Sequence, residues 1–506
     1  MDAVASLNNV RQAWRDAGRP FAFGIAASLL AGSALAEPGL QLTPSIGFQE
    51  TITDNSAGGG ASKFETVSQI SPGIAVHGET PYLTVDGDYT PTYNKFNTHS
   101  SPDRLDQQLN VNGTFKPIEN VLTMDFQAFA QQAAGTGNFT NVAGALVPSV
   151  DRFLYYTAVA SPHYSTHFGS VATFDAYYRL TSTNSSDEGI HPDNRPSAST
   201  NSLGQNAEIA IASTDSLGRL GVRLDLNYGS TSGSGQNTAS TNSAYVIGTS
   251  FHLDRTYQLT SSIGYETIDY PSEGTTKGYR SQGTTWSIGA TITPNSLSSI
   301  SVGYGLSQGS YNPSLQVGYA LGPRTNLVMS YVVSVQNQLT STVQNLRFLT
   351  YDQFGNAIDS RTGLPFSGVN QTFGSQNVLF RDKPALITLS HQLFRSGITL
   401  TANYETRESL SEPKQSDRAW GLSVNYNRDF TPLIQGSIGV GFTSHVSSVL
   451  GVTEHVKNYS ATASLFYKLS DTATATLTET YYGLASDVPV DTYSNEQLTI
   501  GIRKSF

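Results

Sequence analysis

Along most of the chain, apolar and polar side chains alternate with a period of two. Leu122, Met124, Phe126, Ala128 and Ala130 interleave with Thr123, Asp125, Gln127, Phe129 and Gln131. Leu220, Val222, Leu224, Leu226 and Tyr228 do the same against Gly221, Arg223, Asp225, Asn227 and Gly229. The pattern recurs at Ile398–Glu405 and Trp420–Asn427. It recurs again at the end of the chain, where Leu498, Ile500, Ile502 and Phe506 share one parity. A helix cannot use this period; a strand with one apolar and one polar face can. Each run matches a tilted membrane strand of about 9–11 residues, with extensions.

The links between these runs alternate in length. Short turns are expected at Glu79–Pro81, Lys116–Asn120, Phe168–Ser170, Gly322–Arg324 and Arg395–Gly397, among others. Between them fall longer polar links, including Asp54–Lys63, Ala133–Val150, Ser185–Ser202, Gln308–Pro313, Gln338–Lys383, Ser409–Asp417 and Ser447–Glu454. A soluble sandwich gives no reason for such an order. A membrane barrel does, with short periplasmic turns and long extracellular loops. The expected fold is all-β: a transmembrane antiparallel up-and-down barrel of about 22 strands, within a range of about 20–24, with both termini in the periplasm.

Composition agrees with this reading. Only 13% of the 506 residues are charged, and there are 46 Gly, 26 Tyr and no Cys. A soluble domain averages about 25% charge. The absence of Cys excludes a disulfide framework and thiolate chemistry. Arg11, Arg15 and Arg19 precede an apolar stretch from Phe21 and an Ala34-Leu35-Ala36 cleavage pattern, so residues 1–36 read as a removable signal peptide. Residues 37–506 then form one barrel domain, with 338–383 as its long loop. Losing three Arg and two Asp moves the formal charge from −10 to −11, which argues against nucleic acid as a partner. Only Glu37–Gly39 separate the cleavage site from the first strand, so no N-terminal plug is expected; the long loop is the candidate constriction.

The polar parity should face the lumen, because a charge on the lipid face costs free energy. The candidate lumen-lining residues are Asp125, Asp175, Arg179, Glu208, Arg223, Asp225, Glu405, Arg407, Glu479 and Arg503. They suit either a hydrated, mildly cation-preferring passage or mutual ion pairs filling a closed lumen. Tyr82, Tyr155, Tyr257, Tyr331, Tyr459 and Tyr481 are placed as interfacial girdle residues.

Catalytic signals are thin. Gly305-Leu306-Ser307-Gln308-Gly309 fits the G-x-S-x-G pattern but has no following helix to form a nucleophile elbow. His163 and His167 would share a face at helical spacing only, and Asp86-Gly87-Asp88 is too short for a calcium loop. No catalytic, cofactor or metal residues are assigned, and an enzyme is not expected.

The stretch "LTPSIGFQETITDNSAGG" and the following "ETVSQISPGIAVHGETPYLTVDGDYTPTYNKF" resemble the opening of PEP-CTERM system-associated outer-membrane β-barrel proteins. The matching positions are Pro44, Glu50-Thr51, Thr53-Asp54-Asn55, Ser71-Pro72-Gly73-Ile74 and Asp88-Tyr89. The later "YDQFGNAIDSRTGLPF" resembles that family's long loop. The resemblance implies a non-enzymatic barrel accompanying exopolysaccharide export or surface assembly, as pore or scaffold, with polysaccharide or export-system components as partners. A diffusion porin and a structural barrel with a packed lumen remain alternatives. The terminal Phe506 also resembles the signal read by the barrel-assembly machinery of Gram-negative outer membranes, although Lys504 stands where that signal usually carries an apolar residue.

Overall fold

The chain closes on itself. Leu40–Thr53 pairs antiparallel with Tyr493–Ser505, in a register running from Ser45 opposite Ser505 to Thr53 opposite Gln497. Each intervening strand pairs with its neighbours in sequence. The structure is a computed structural model. It describes residues 39–55, 64–98, 101–134, 152–187, 200–234, 239–272, 278–336, 349–351, 357–359, 379–410, 414–449, 452–487 and 492–506. The expected signal peptide lies outside these residues, as does most of the long loop, of which Leu349–Tyr351 and Ala357–Asp359 form a small hairpin.

The closed sheet has 24 strand segments. Two of them, Ser310–Tyr311 and Ser334–Gln336, continue the wall strands Ser314–Gly322 and Thr325–Tyr331, which leaves 22 wall strands. Closure pairs the backbone groups of every wall strand and leaves no sheet edge, the condition for a β wall in lipid.

Side-chain parity separates the two faces. Ile500 is 57% exposed while its neighbour Thr499 is 8% exposed. Phe48, Ile263, Ile288 and Leu422 lie on the outside with Ile500; these large apolar residues would be unstable in water and are at ease in hydrocarbon. The inner face carries Thr51, Thr53, Asn94, Asn110 and Gln497, all buried. Tyr155 departs from the expected girdle: it is buried on the inner face, beside Phe153.

The links at one end of the barrel are short, and the two ends of the closing pair lie near this edge. The opposite edge carries the longer links, with two departures from the expected lengths. Ser298–Ser307 turns back at Gln308 and Gly309, whose φ values of 54° and 68° make a tight two-residue hairpin in place of a long link. Ile434–Val449 and Val452–Ser470 pair up to Val449 opposite Val452, so the polar residues Ser447, Ser448, Thr453 and Glu454 extend the ladder. Backbone pairing needs no apolar side chains.

Candidate functional site

The inner wall is built from hydroxyl and carboxamide side chains bonded from strand to strand. Thr51 and Thr499 share a hydrogen bond of 2.9 Å, and Thr53 donates to Asn495 at 2.7 Å. Thr51 also donates to Gln69, and the Gln69 amide donates to Asn94 at 2.5 Å. Asn94 in turn donates to Asp106 at 2.8 Å. Across the barrel, Ser262 pairs with Ser287 and Thr291 with Ser301. Period-two alternation brings such residues to the inner face at alternate positions, within reach of the adjoining strand.

Charges are gathered at two heights. Toward the short-turn edge lie Asp125, Asp175, Arg179, Glu208, Arg223 and Asp225, on neighbouring strands from Leu122–Ala134 to Leu220–Ser234. The Arg223 guanidinium is 2.7 Å from Asp225 and 3.9 Å from Glu208. Asp125 accepts a hydrogen bond from Thr114, and Arg179 donates to Ser161. His163 Nε2 is 3.2 Å from Asp175, and its ring stacks on Tyr177 with centroids 3.9 Å apart. The Arg223 and Glu208 side chains are 49% and 39% exposed, so this patch faces an accessible space.

Near the long-link edge the charges are buried. The Arg407 guanidinium is 2.8 Å from Glu405 and 3.6 Å from Asp382, and it lies over the Phe380 ring. The Arg407 and Asp382 side chains are only 8% and 6% exposed. Asp417 and His445 are buried on neighbouring strands, and Asp417 accepts from Ser447 at 2.7 Å. A second buried group joins Arg152 to Asp106 at 2.6 Å, with Arg104 3.6 Å from the same carboxylate. The inner wall therefore presents an accessible acidic patch at one height and tightly packed ion networks at another.

Arg503 points inward from the closing strand and donates to Ser45 at 3.0 Å. Glu479 does not join the others. It stands between Leu477 and Tyr481 and opposite Leu498, all on the lipid side, because the inner parity of Ala473–Ser486 is taken by Thr476, Thr478, Thr480 and Tyr482. Asp106, Arg152, Asp382, Asp417 and His445 belong to these networks without a sequence signal that marks them, and His163, weighed by sequence only as a metal ligand, pairs with Asp175 instead. Asp382 and Asp417 fall within links assigned from polarity, which hid their strand parity.

The G-x-S-x-G segment ends a strand at the tight hairpin, and Ser307 Oγ donates to Glu266. At the chain terminus, the Phe506 N–H donates to the Pro44 carbonyl at 2.9 Å, and the Lys504 ammonium sits 5.2 Å from the Phe506 ring centroid. Among the described residues, no group of three or more acidic or His side chains is arranged to hold a metal ion.

No family model and no curated protein matches the chain. Solved structures do. The chain is similar to the FrpB iron transporter of Neisseria meningitidis, F3-3 variant, at 11% identity over 95% of this chain and 83% of that one, with a TM-score of 0.54. The apoprotein form of the F5-1 variant gives 11% identity, coverage of 92% and 82%, and a TM-score of 0.53. The ferric-catecholate import receptor Fiu from E. coli K12, open form, gives 10%, 91% and 81%, and 0.50. The fold is an outer-membrane β-barrel. At 10–11% identity the likeness is one of fold.

Proposed function

We propose that this barrel serves the export or surface assembly of an exopolysaccharide, as a pore or scaffold, without catalysing a reaction. The observation that carries this reading is the inner wall of hydroxyl and carboxamide groups, with its charges confined to discrete clusters. A hydroxyl-rich glycan can exchange hydrogen bonds with such a surface at little net cost in desolvation, whereas a strongly charged solute finds few complementary groups. The N-terminal resemblance to PEP-CTERM system-associated barrels supports the same role. The short-turn edge, where the closing pair has its ends, is assigned to the periplasm and the longer links to the cell exterior. The barrel-assembly machinery would be the partner in insertion.

Deleting the gene tests this directly. Surface polysaccharide should fall, and an unchanged yield of normally anchored polymer would overturn the proposal. A second reading, a cation-preferring diffusion pore, is favoured by the accessible carboxylates around Arg223. Refolded protein in a planar bilayer separates the two. Steady conductance with cation selectivity, in a strain whose polysaccharide is unaffected by the deletion, would favour the pore.

A further inference from the structure

The outer face of the strands Phe380–Gln392, Ser396–Ser409, Gln415–Asp429, Ile434–Val449 and Val452–Ser470 departs from the lipid-facing pattern elsewhere. Near the long-link edge it carries Arg381, Lys383, Arg418, His455 and Lys457, all on the same parity as the exposed Ile387, Trp420 and Tyr459. Two carboxylates border this face: Glu408, engaged by Lys383 at 3.1 Å, and Asp487, which accepts a hydrogen bond from the His455 backbone N–H at 3.0 Å. Arg418 and Lys457 are exposed, and among the described residues neither enters an ion pair. The chain carries a formal charge of −10, so a cationic patch of this size runs against the whole.

Register fixes the arrangement. Lys383, Thr406, Arg418, Val446 and His455 occupy one row across five strands. In the next row toward the short-turn edge, Trp420 faces Ser444, which faces Lys457. Arg418 and His455 are two strands apart, a span of about 10 Å. Val446 stands between them, and in the next row the short Ser444 side chain leaves a shallow trough between Trp420 and Lys457. Immediately below runs a continuous aromatic shelf: Trp420 and Phe442 have ring centroids 5.0 Å apart, and Phe442 and Tyr459 5.1 Å apart.

We infer that this face holds a phosphorylated lipid of the surrounding leaflet. Arg418 and Lys457 bind its phosphate, His455 borders it, and the acyl chains lie against Trp420, Phe442 and Tyr459. Cations set just above an aromatic shelf match the order of phosphate and hydrocarbon along the depth of a leaflet. An arginine and a lysine converging on one phosphate make charge-assisted bonds in a region poorer in water than the bulk. This site is on the outside of the wall and is independent of what the lumen carries.

The test uses the full chain in neutral detergent, with native mass spectrometry reading retained lipid. The probes are a bisphosphorylated disaccharide lipid and the same lipid stripped of its phosphates. The phosphorylated form should bind about tenfold more tightly or better, a difference that charge-assisted bonds readily supply. Arg418→Gln combined with Lys457→Gln should remove that preference, and Lys95→Gln, on a distant strand, should leave it intact. Ser444→Glu, which places a carboxylate in the trough while keeping both cations, should have the same effect as the double substitution and covers the case where that variant misfolds. Equal retention of the two lipids, or a preference that survives both changes, overturns the inference. Displacement by inorganic phosphate as effective as by the lipid overturns it as well, since it leaves the aromatic shelf without a role.

Discussion

Glu479 gives the sharpest test of how the wall is oriented. Its carboxylate stands among Leu477, Tyr481 and Leu498 on the lipid side, midway along Ala473–Ser486. A Lys or Arg at the centre of a barrel's lipid face costs about 2–4 kcal/mol, and an acid costs less, so the charge is worth on the order of 1–2 kcal/mol of destabilisation here. A leucine in its place adds apolar area worth up to about 1.5 kcal/mol. Glu479→Leu should therefore stabilise the folded barrel by about 2–3 kcal/mol. The assay is reversible denaturant unfolding in lipid vesicles, read by tryptophan fluorescence at matched slope. Thr480→Leu, one position along and on the inner face, is the paired control and should be destabilising, since it removes a buried hydroxyl from a polar wall. If Glu479→Leu leaves stability unchanged or lowers it while Thr480→Leu raises it, the parity of this strand, and the face assignments built on it, would be wrong.

Three further outcomes are expected. Arg407→Met removes the cation lying between Glu405 and Asp382 in a buried site, and should cost about 3–5 kcal/mol in the same unfolding assay; a loss under about 1 kcal/mol would show that the network is not structural. Gly309→Val forces a β-branched side chain to φ 68° in the tight hairpin, where a Cβ would also meet Ser281 Oγ at 2.8 Å; a loss of about 1–2 kcal/mol is expected, against none for a substitution in a roomy loop. Deleting Phe506 removes the bond to the Pro44 carbonyl and the terminal aromatic ring. It should reduce the heat-modifiable, folded fraction in cell envelopes, and normal insertion would contradict the assembly role given to it.

The wall was largely legible in the alternation. Leu220–Tyr228 and Trp420–Asn427 read unambiguously because the large apolar residues in each run fall on a single parity, so parity and face coincide. Glu479 is misleading because charge marks the inner face on most strands, whereas threonines define that face in its own. The hairpin at Gln308–Gly309 and the extension through Ser447–Glu454 were hidden because Ser, Gly and Asn serve both loops and the polar ends of strands. The buried network was half visible. Glu405 and Arg407 follow from alternation, but Asp382, Asp417 and His445 reach them only through the register between four strands, which no local pattern encodes.

The seam between Leu40–Thr53 and Tyr493–Ser505 has a consequence in time. Every other pair of neighbouring wall strands is joined by the link between them and can form as soon as both have emerged. The seam bonds Thr51 to Thr499, separated by 448 positions, and Thr53 to Asn495, separated by 442. Chain-connectivity entropy grows only slowly with such a span, but contacts this distant must wait for all that precede them. Until they form, the sheet has two open edges, each able to accept a foreign strand. Closure is thus the step at which an adhesive ribbon becomes an inert ring.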